Sequence, residues 1–155
     1  MIEIVRQAHV DAPVDAVWVQ VSDAARTPSW FTFAERVEVR SGEGVGQLRT
    51  QHGRWGGKAA EVDQEIIAFE PGRLLRWRHV EERLNGRPAP RFAASTEFSI
   101  ELEAGGDGTT VRLRSRQEPA SRFKGWLMKA GSRDLTRAME QSLERLSLGL
   151  RHQAQ

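Results

Sequence analysis

The sequence predicts an α+β fold: a curved, seven-stranded antiparallel sheet around a long C-terminal helix, with two short helices after the first strand. Three observations predict it. Seven segments between residues 2 and 118 read as strands, the clearest alternating apolar and polar residues at period two. Hairpin-length turns rich in Gly, Pro and Asn join them, which implies antiparallel neighbours with one face covered and one exposed. Near residue 135 the period changes to that of a helix, and the new apolar stripe needs a large apolar surface to lie against.

In chain order, residues 2–11 alternate, with Ile2, Ile4, Ala8 and Val10 on one face. Asp11-Ala12-Pro13 stops this strand, and Pro13 is suited to open a helix in which Val14, Val17, Trp18 and Val21 follow helical spacing. Thr27-Pro28 marks a break, followed by the aromatic run Trp30-Phe31-Thr32-Phe33. Strands follow over residues 36–40, 47–52, 58–70, 74–82, 92–103 and 109–118. Their punctuation is Ser41-Gly42-Glu43-Gly44, Trp55-Gly56-Gly57, Pro71-Gly72, the loop Asn85 to Pro90, and Gly105-Gly106-Asp107-Gly108. The closing helix carries Leu135, Ala138, Met139, Ser142, Leu143, Leu146 and Leu150 on one stripe. With no internal repeat or linker, residues 1–155 are expected to form one domain.

Composition narrows the function classes. The absence of Cys excludes disulfides, thiol nucleophiles and thiolate metal sites. The pI of 9.6 does not announce a nucleic-acid binder. Net charge is only +2, and 20 of the 23 basic residues are Arg, which does not titrate in this range. No charged-then-apolar leader opens the chain, and no apolar run approaches the roughly 20 residues that span a bilayer, so a cytoplasmic protein is expected.

Several short motifs, in order and at matching spacing, carry a family resemblance. They are Val10-Asp11-Ala12-Pro13 leading to Val17-Trp18, Pro28-Ser29-Trp30, Gly44-Val45-Gly46, Phe69-Glu70-Pro71-Gly72-Arg73-Leu74 and Gly108-Thr109-Thr110-Val111, before the closing helix. Over nearly its whole length the chain resembles the START and birch-pollen-allergen (SRPBCC) superfamily, nearest to its bacterial polyketide cyclase/dehydrase-like branch. The resemblance implies a helix-grip fold with a cavity between sheet and long helix for hydrophobic or amphipathic small molecules. It implies no shared catalytic signature, because function lives in the site and not in the fold.

Strand parity names the candidate ligand-binding residues. Taking apolar members as the guide, Leu75, Trp77, His79 and Glu81 face inward on one strand, and Leu48, Thr50 and His52 on another. Phe98, Ile100 and Leu102 face inward as well, as do Val111, Leu113, Ser115 and Gln117, and Arg6 lies beside Ile4 and Ala8. Trp30, Met139 and Trp126 complete the set. An apolar lining with a few convergent polar groups suits a small-molecule pocket. His52 and His79 are the candidate acid/base residues, since His moves protons near neutral pH. His79-Val80-Glu81 offers two metal ligands on one strand face but no third, so no metal and no cofactor are expected.

Two surface patterns need an account. Phe123, Trp126, Leu127 and Ala130 form a stripe flanked by Arg122, Lys124, Lys129 and Arg133. Such a segment forms either the first turns of the closing helix, packed on its own sheet, or a membrane-surface contact or lid; the packed arrangement is expected. Arg76 and Arg78 alternate outward on one strand, and Arg112, Arg114 and Arg116 on another. Family topology places Glu97 and Glu101 between them, a cross-strand charge ladder and not an RNA-binding face.

The expected function is therefore binding of a hydrophobic small molecule, by a monomer or homodimer without a nucleic-acid partner. The alternatives are a metal-free cyclase/dehydrase-type enzyme using the same cavity, and a co-chaperone-like interaction domain.

Overall fold

The computed structural model describes residues 1–153, so the last two residues of the expected domain lie outside the described residues. Its main strands are β1 (Ile2–Val10), β2 (Arg36–Ser41), β3 (Leu48–Trp55), β4 (Lys58–Glu70), β5 (Leu74–Leu84), β7 (Ala93–Gly105) and β8 (Gly108–Pro119). A two-residue strand β6 (Arg87–Pro88) folds back onto β5. The sheet has the order β1-β8-β7-β5-β4-β3-β2, every pair antiparallel. That order differs from sequence order at one place, where β1 pairs with β8, because a helical segment carries the chain from one edge of the sheet to the other.

That segment is α1 (Val14–Ser22) followed by a 3-10 turn at Thr27–Ser29. Pro13 precedes α1 in extended conformation, and Pro28 sits in the first turn of the 3-10 segment, where a missing N–H costs nothing. Val17 and Val21 of α1 are buried, and Trp18 meets Phe69 edge-on at 5.4 Å.

The chain closes with two helices, α2 (Arg122–Ala130) and α3 (Ser132–Gln153), separated at Gly131. The Ser121 hydroxyl caps α2 by accepting from the Lys124 N–H at 3.1 Å. Met139, Leu143, Leu146 and Leu150 of α3 are buried, in the same cluster as Leu75, Phe98, Ile100, Val111 and Leu113 of the sheet. The predicted stripe therefore lies on the predicted face. Burying each such side chain supplies about 1.5–3 kcal/mol, which is what holds helix to sheet.

The outer face is a charge ladder. Arg114 reaches Glu101 at 2.9 Å and Glu3 at 2.8 Å, Arg116 reaches Glu3 at 3.2 Å, and Arg78 reaches Glu65 at 2.6 Å. Glu101 lies between β5 and β8 as anticipated; burial raises its pKa, but Arg114 and Arg112 together hold it below the ordinary carboxylate value. Arg78, Arg112, Arg114 and Arg116 thus meet carboxylates of their own sheet, whereas Arg76 donates to the Ser99 hydroxyl at 2.8 Å. Glu97, expected in the ladder beside Glu101, makes no ion pair within 4 Å among the described residues.

Three expectations need correction. Thr50, His52 and Leu48 face outward, not inward: the register sets Thr50 opposite Asp63 and Glu38, while Arg49 stands opposite the buried Gln64. Glu81 also leaves the inner face, because Val80 is an extra residue in β5 and reverses the alternation between His79 and Glu81. Finally, Phe123 and Trp126 do not pack on the sheet; they are 69% and 66% exposed on α2, which is a separate helix and not the start of α3.

Candidate functional site

The inner face of the sheet is aromatic at its centre. Register sets Trp77 of β5 opposite Phe98 of β7, and the rings stack at 5.1 Å with 20° between planes. Phe31 meets both edge-on, at 5.9 Å and 5.3 Å, and Trp30 packs on Phe31 at 5.1 Å. Trp30 and Phe31 arrive from the turn after α1. The Thr32 N–H donates to the Ser142 hydroxyl, and the Thr32 hydroxyl donates to the Ala138 carbonyl, each at 3.0 Å. Those bonds pin the segment to α3, whose fully buried Met139 belongs to the same cluster.

Two polar atoms inside this apolar cluster are unpaired. Trp30 Nε1 and Trp77 Nε1 are both buried, and neither has a hydrogen-bond partner among the described residues. A buried donor without an acceptor costs about 1–3 kcal/mol. Native interiors rarely leave such groups alone unless water or a ligand supplies the acceptor. Here two occur in one cluster.

Polar groups gather along the same face toward β3. Gln64 is 3% exposed and donates to Gln51 at 3.1 Å. His79 stands opposite Gln64, and its Nδ1 lies 2.9 Å from Glu82 Oε1. That hydrogen bond holds the Glu82 carboxyl below its usual range against the opposing effect of burial. A His oriented by a carboxylate is arranged to accept or donate a proton at its free ring nitrogen.

Arg49, which parity reasoning pointed outward, is 6% exposed on the inner face. Its guanidinium donates to the Ser22 carbonyl at 3.1 Å and to Gln47. Burial lowers its pKa, and the charge of Asp23 partly offsets that. A cleft of about 580 Å³ opens beside it, between Ser22 and Asp23 on one side and the Glu43–Gln47 turn on the other. Arg49 meets the carbonyl end of α1, where a cation compensates the helix dipole. Its role there is to join α1 to β3.

The remaining candidates divide. Ser115 is buried opposite Phe98, and Gln117 is half-buried opposite Thr96 and Ile2, both on the inner face. Arg6 stands on the inner side of edge strand β1, but it bonds Glu140 of α3 at 3.0 Å and so ties strand to helix. Thr50 donates to Asp63 at 2.8 Å and His52 lies 3.3 Å from Glu38, both on the outer face. Trp126 is exposed on α2 and is not part of the aromatic cluster. Among the described residues no group of three or more His, Asp or Glu is placed to hold a metal ion, and no helix is long and apolar enough to cross a membrane. The sequence reading overlooked Arg49 and Gln64; reversed parity hid the first, and the second is a polar residue within an otherwise ordinary strand.

Comparison with known proteins agrees with this geometry. Residues 1–148 match the family model described as polyketide cyclase/dehydrase and lipid transport. No curated protein sequence is similar enough to match. Among solved structures, a protein from Thermus thermophilus superposes with a TM-score of 0.77 at 18% identity, covering 99% of this chain and 100% of that one. The di-domain ARO/CYC StfQ from the steffimycin biosynthetic pathway gives 0.77 at 12% identity, covering 98% of this chain and 51% of StfQ. Ara h 8.0201 gives 0.64 at 15% identity over 90% of this chain and 95% of that one. At such identities the likeness is one of fold: the helix-grip arrangement of the birch-pollen-allergen type.

Proposed function

The chain belongs to the polyketide cyclase/dehydrase and lipid transport family, and from that premise we propose that it binds a hydrophobic or amphipathic small molecule between the inner face of the sheet and α3. The observation that carries this reading is the pair of unpaired indole donors, Trp30 Nε1 and Trp77 Nε1, within one aromatic cluster. The ligand that fits is largely apolar, flat enough to lie on aromatic rings, and carries at least one acceptor oxygen, a carbonyl or hydroxyl, for those N–H groups. Its entry requires side chains to move. Met139, unbranched and with three rotatable bonds, is the member of the cluster best able to do so.

A thermal-shift panel of aromatic ketones, polyphenols and fatty acids tests the proposal. An aromatic ketone or phenol that raises Tm for the wild type and less for Trp77→Phe supports it. Uniform silence across the panel counts against it.

A second reading, catalysis of the cyclase/dehydrase kind in the same space, is favoured by the His79–Glu82 pair on the inner face. In that reading His79 moves the proton, Glu82 fixes its tautomer, and the aromatic walls hold the substrate in a reactive shape. No metal is needed for either reading.

A further inference from the structure

Among the described residues, the four aromatic side chains that stand exposed are Trp55, Phe92, Phe123 and Trp126. All four lie at one end of the sheet. Trp55 ends β3, Phe92 precedes β7, and Phe123 and Trp126 follow β8 on α2; antiparallel pairing brings these positions to the same end of the strands. The link between the last two groups is direct, since the Ala120 N–H donates to the Phe92 carbonyl at 2.9 Å. Phe123 and Trp126 stack on each other at 6.5 Å while 69% and 66% exposed. The opposite face of α2 is the one that packs: Gly125 is buried so tightly on Pro119 that a Cβ there would stand 3.2 Å from the proline ring. On a helical wheel Phe123, Trp126 and Ala130 fall within roughly 60° of arc, with Arg122 and Lys129 on the adjoining flank.

The charge left unpaired at this end is mostly positive. All three lysines of the chain, Lys58, Lys124 and Lys129, are here. With Arg87, Arg91 and Arg122 they form no ion pair within 4 Å among the described residues, whereas most arginines of the outer face are paired. The nearby carboxylates are engaged: Glu35 with Arg54 at 3.3 Å, Glu82 with His79 at 2.9 Å, Glu118 with the N-terminus at 3.8 Å and Glu81 with Arg83 at 3.6 Å. Asp134 stands in the first turn of α3, where the helix N-terminus favours it.

We propose that this end docks on an anionic membrane surface, with Phe123 and Trp126 inserted at the headgroup level and the unpaired bases set against lipid phosphates. Aromatic tips rimmed by free cations match the two layers of such a surface, apolar beneath and negative above. Neither a nucleic acid nor a second copy of this chain, which carries the same positive charge, offers that combination. The proposal is independent of the small-molecule reading, and each can fail without the other.

Co-sedimentation with vesicles tests it. Wild-type protein is expected to pellet with phosphatidylcholine vesicles containing phosphatidylglycerol and to stay in solution with phosphatidylcholine alone. Molar salt should release it. Phe123→Ser combined with Trp126→Ser, or Lys124→Glu combined with Lys129→Glu, should weaken binding by roughly tenfold or more while leaving the circular-dichroism melt unchanged. Trp55→Ser, at the exposed end of β3 and outside any helix, gives a second reading should the α2 variants unfold, and is expected to weaken binding as well. Indifference to anionic lipid overturns the proposal. So does binding unchanged in all of these variants, or sedimentation showing a dimer that the Phe123→Ser/Trp126→Ser variant dissociates.

Discussion

Trp77 stacks on Phe98 across β5 and β7 at 5.1 Å, yet its indole N–H, buried with the ring, has no acceptor among the described residues. The two halves of that side chain therefore pull stability in opposite directions. Trp77→Phe keeps an aromatic ring and removes the unsatisfied donor, so the lost volume and the relieved donor offset each other, leaving stability within about 1 kcal/mol of wild type. Phe98→Ala removes the stacking partner and opens a cavity, at a cost of about 3–5 kcal/mol. Urea unfolding separates the two; a Trp77→Phe loss as large as that of Phe98→Ala would show that the indole N–H is satisfied after all.

Gly53 of β3 and Phe33 carry the second prediction. A Cβ at Gly53 would run directly into the Phe33 carbonyl oxygen, a backbone atom in the segment that delivers the aromatic residues. Gly53→Ala is therefore expected to destabilise by about 2–3 kcal/mol, more than strand propensity predicts, and to perturb near-ultraviolet circular dichroism from Trp30.

On the outer face Arg83 holds Asp63 in a two-point pair, at 2.7 Å and 2.9 Å, and also donates to Glu61 at 3.0 Å. The Arg83 hydrogen bonds place the Asp63 carboxyl below its ordinary pKa. A carboxyl depressed in the folded state stabilises fully above its unfolded value of roughly 4, and that contribution is lost as pH falls through the folded value. Arg83→Gln is therefore expected to cost about 1 kcal/mol at neutral pH and little in acid, flattening the stability profile below roughly pH 4. A cost independent of pH would contradict this account.

The two histidines proposed from sequence as acid/base candidates should now behave differently. His79 is on the inner face with Glu82, and His52 is on the outer face with Glu38 and Arg36. If the inner face of the sheet performs proton transfer, His79→Gln lowers kcat by about 10²–10⁴-fold while His52→Gln leaves it within about twofold. Steady-state kinetics on any substrate found will check it, and equal losses would remove His79 from the mechanism.

Most of the fold was legible because local and global signals agreed. Turn glycines, the Pro13 boundary and the Leu143–Leu146–Leu150 stripe each have one structural solution, and the structure adopts it. Face assignment failed where one residue carried it. Leu48 was the only apolar guide in its strand, it is 42% exposed, and following it turned Thr50 and His52 to the wrong side. The bulge at Val80 leaves no composition signal, so Glu81 was misplaced as well. The site was only half legible: Trp30, Trp77, Phe98, Ser115 and Met139 could be named as inward. That two indole donors would lack acceptors depends on three-dimensional neighbours, which spacing cannot supply. The exposure of Trp126 likewise depended on Gly131 ending α2 and letting it turn away from α3.

The central claim is that the Trp30–Trp77 cluster receives a small molecule. Native mass spectrometry of freshly purified protein, set against its denatured mass, addresses it most directly. The account predicts a discrete added mass that is lost on denaturation and whose occupancy falls in Trp77→Phe and not in Thr50→Val, on the outer face. An adduct held equally by both variants, or held less by Thr50→Val than by Trp77→Phe, would place the ligand elsewhere and contradict the account.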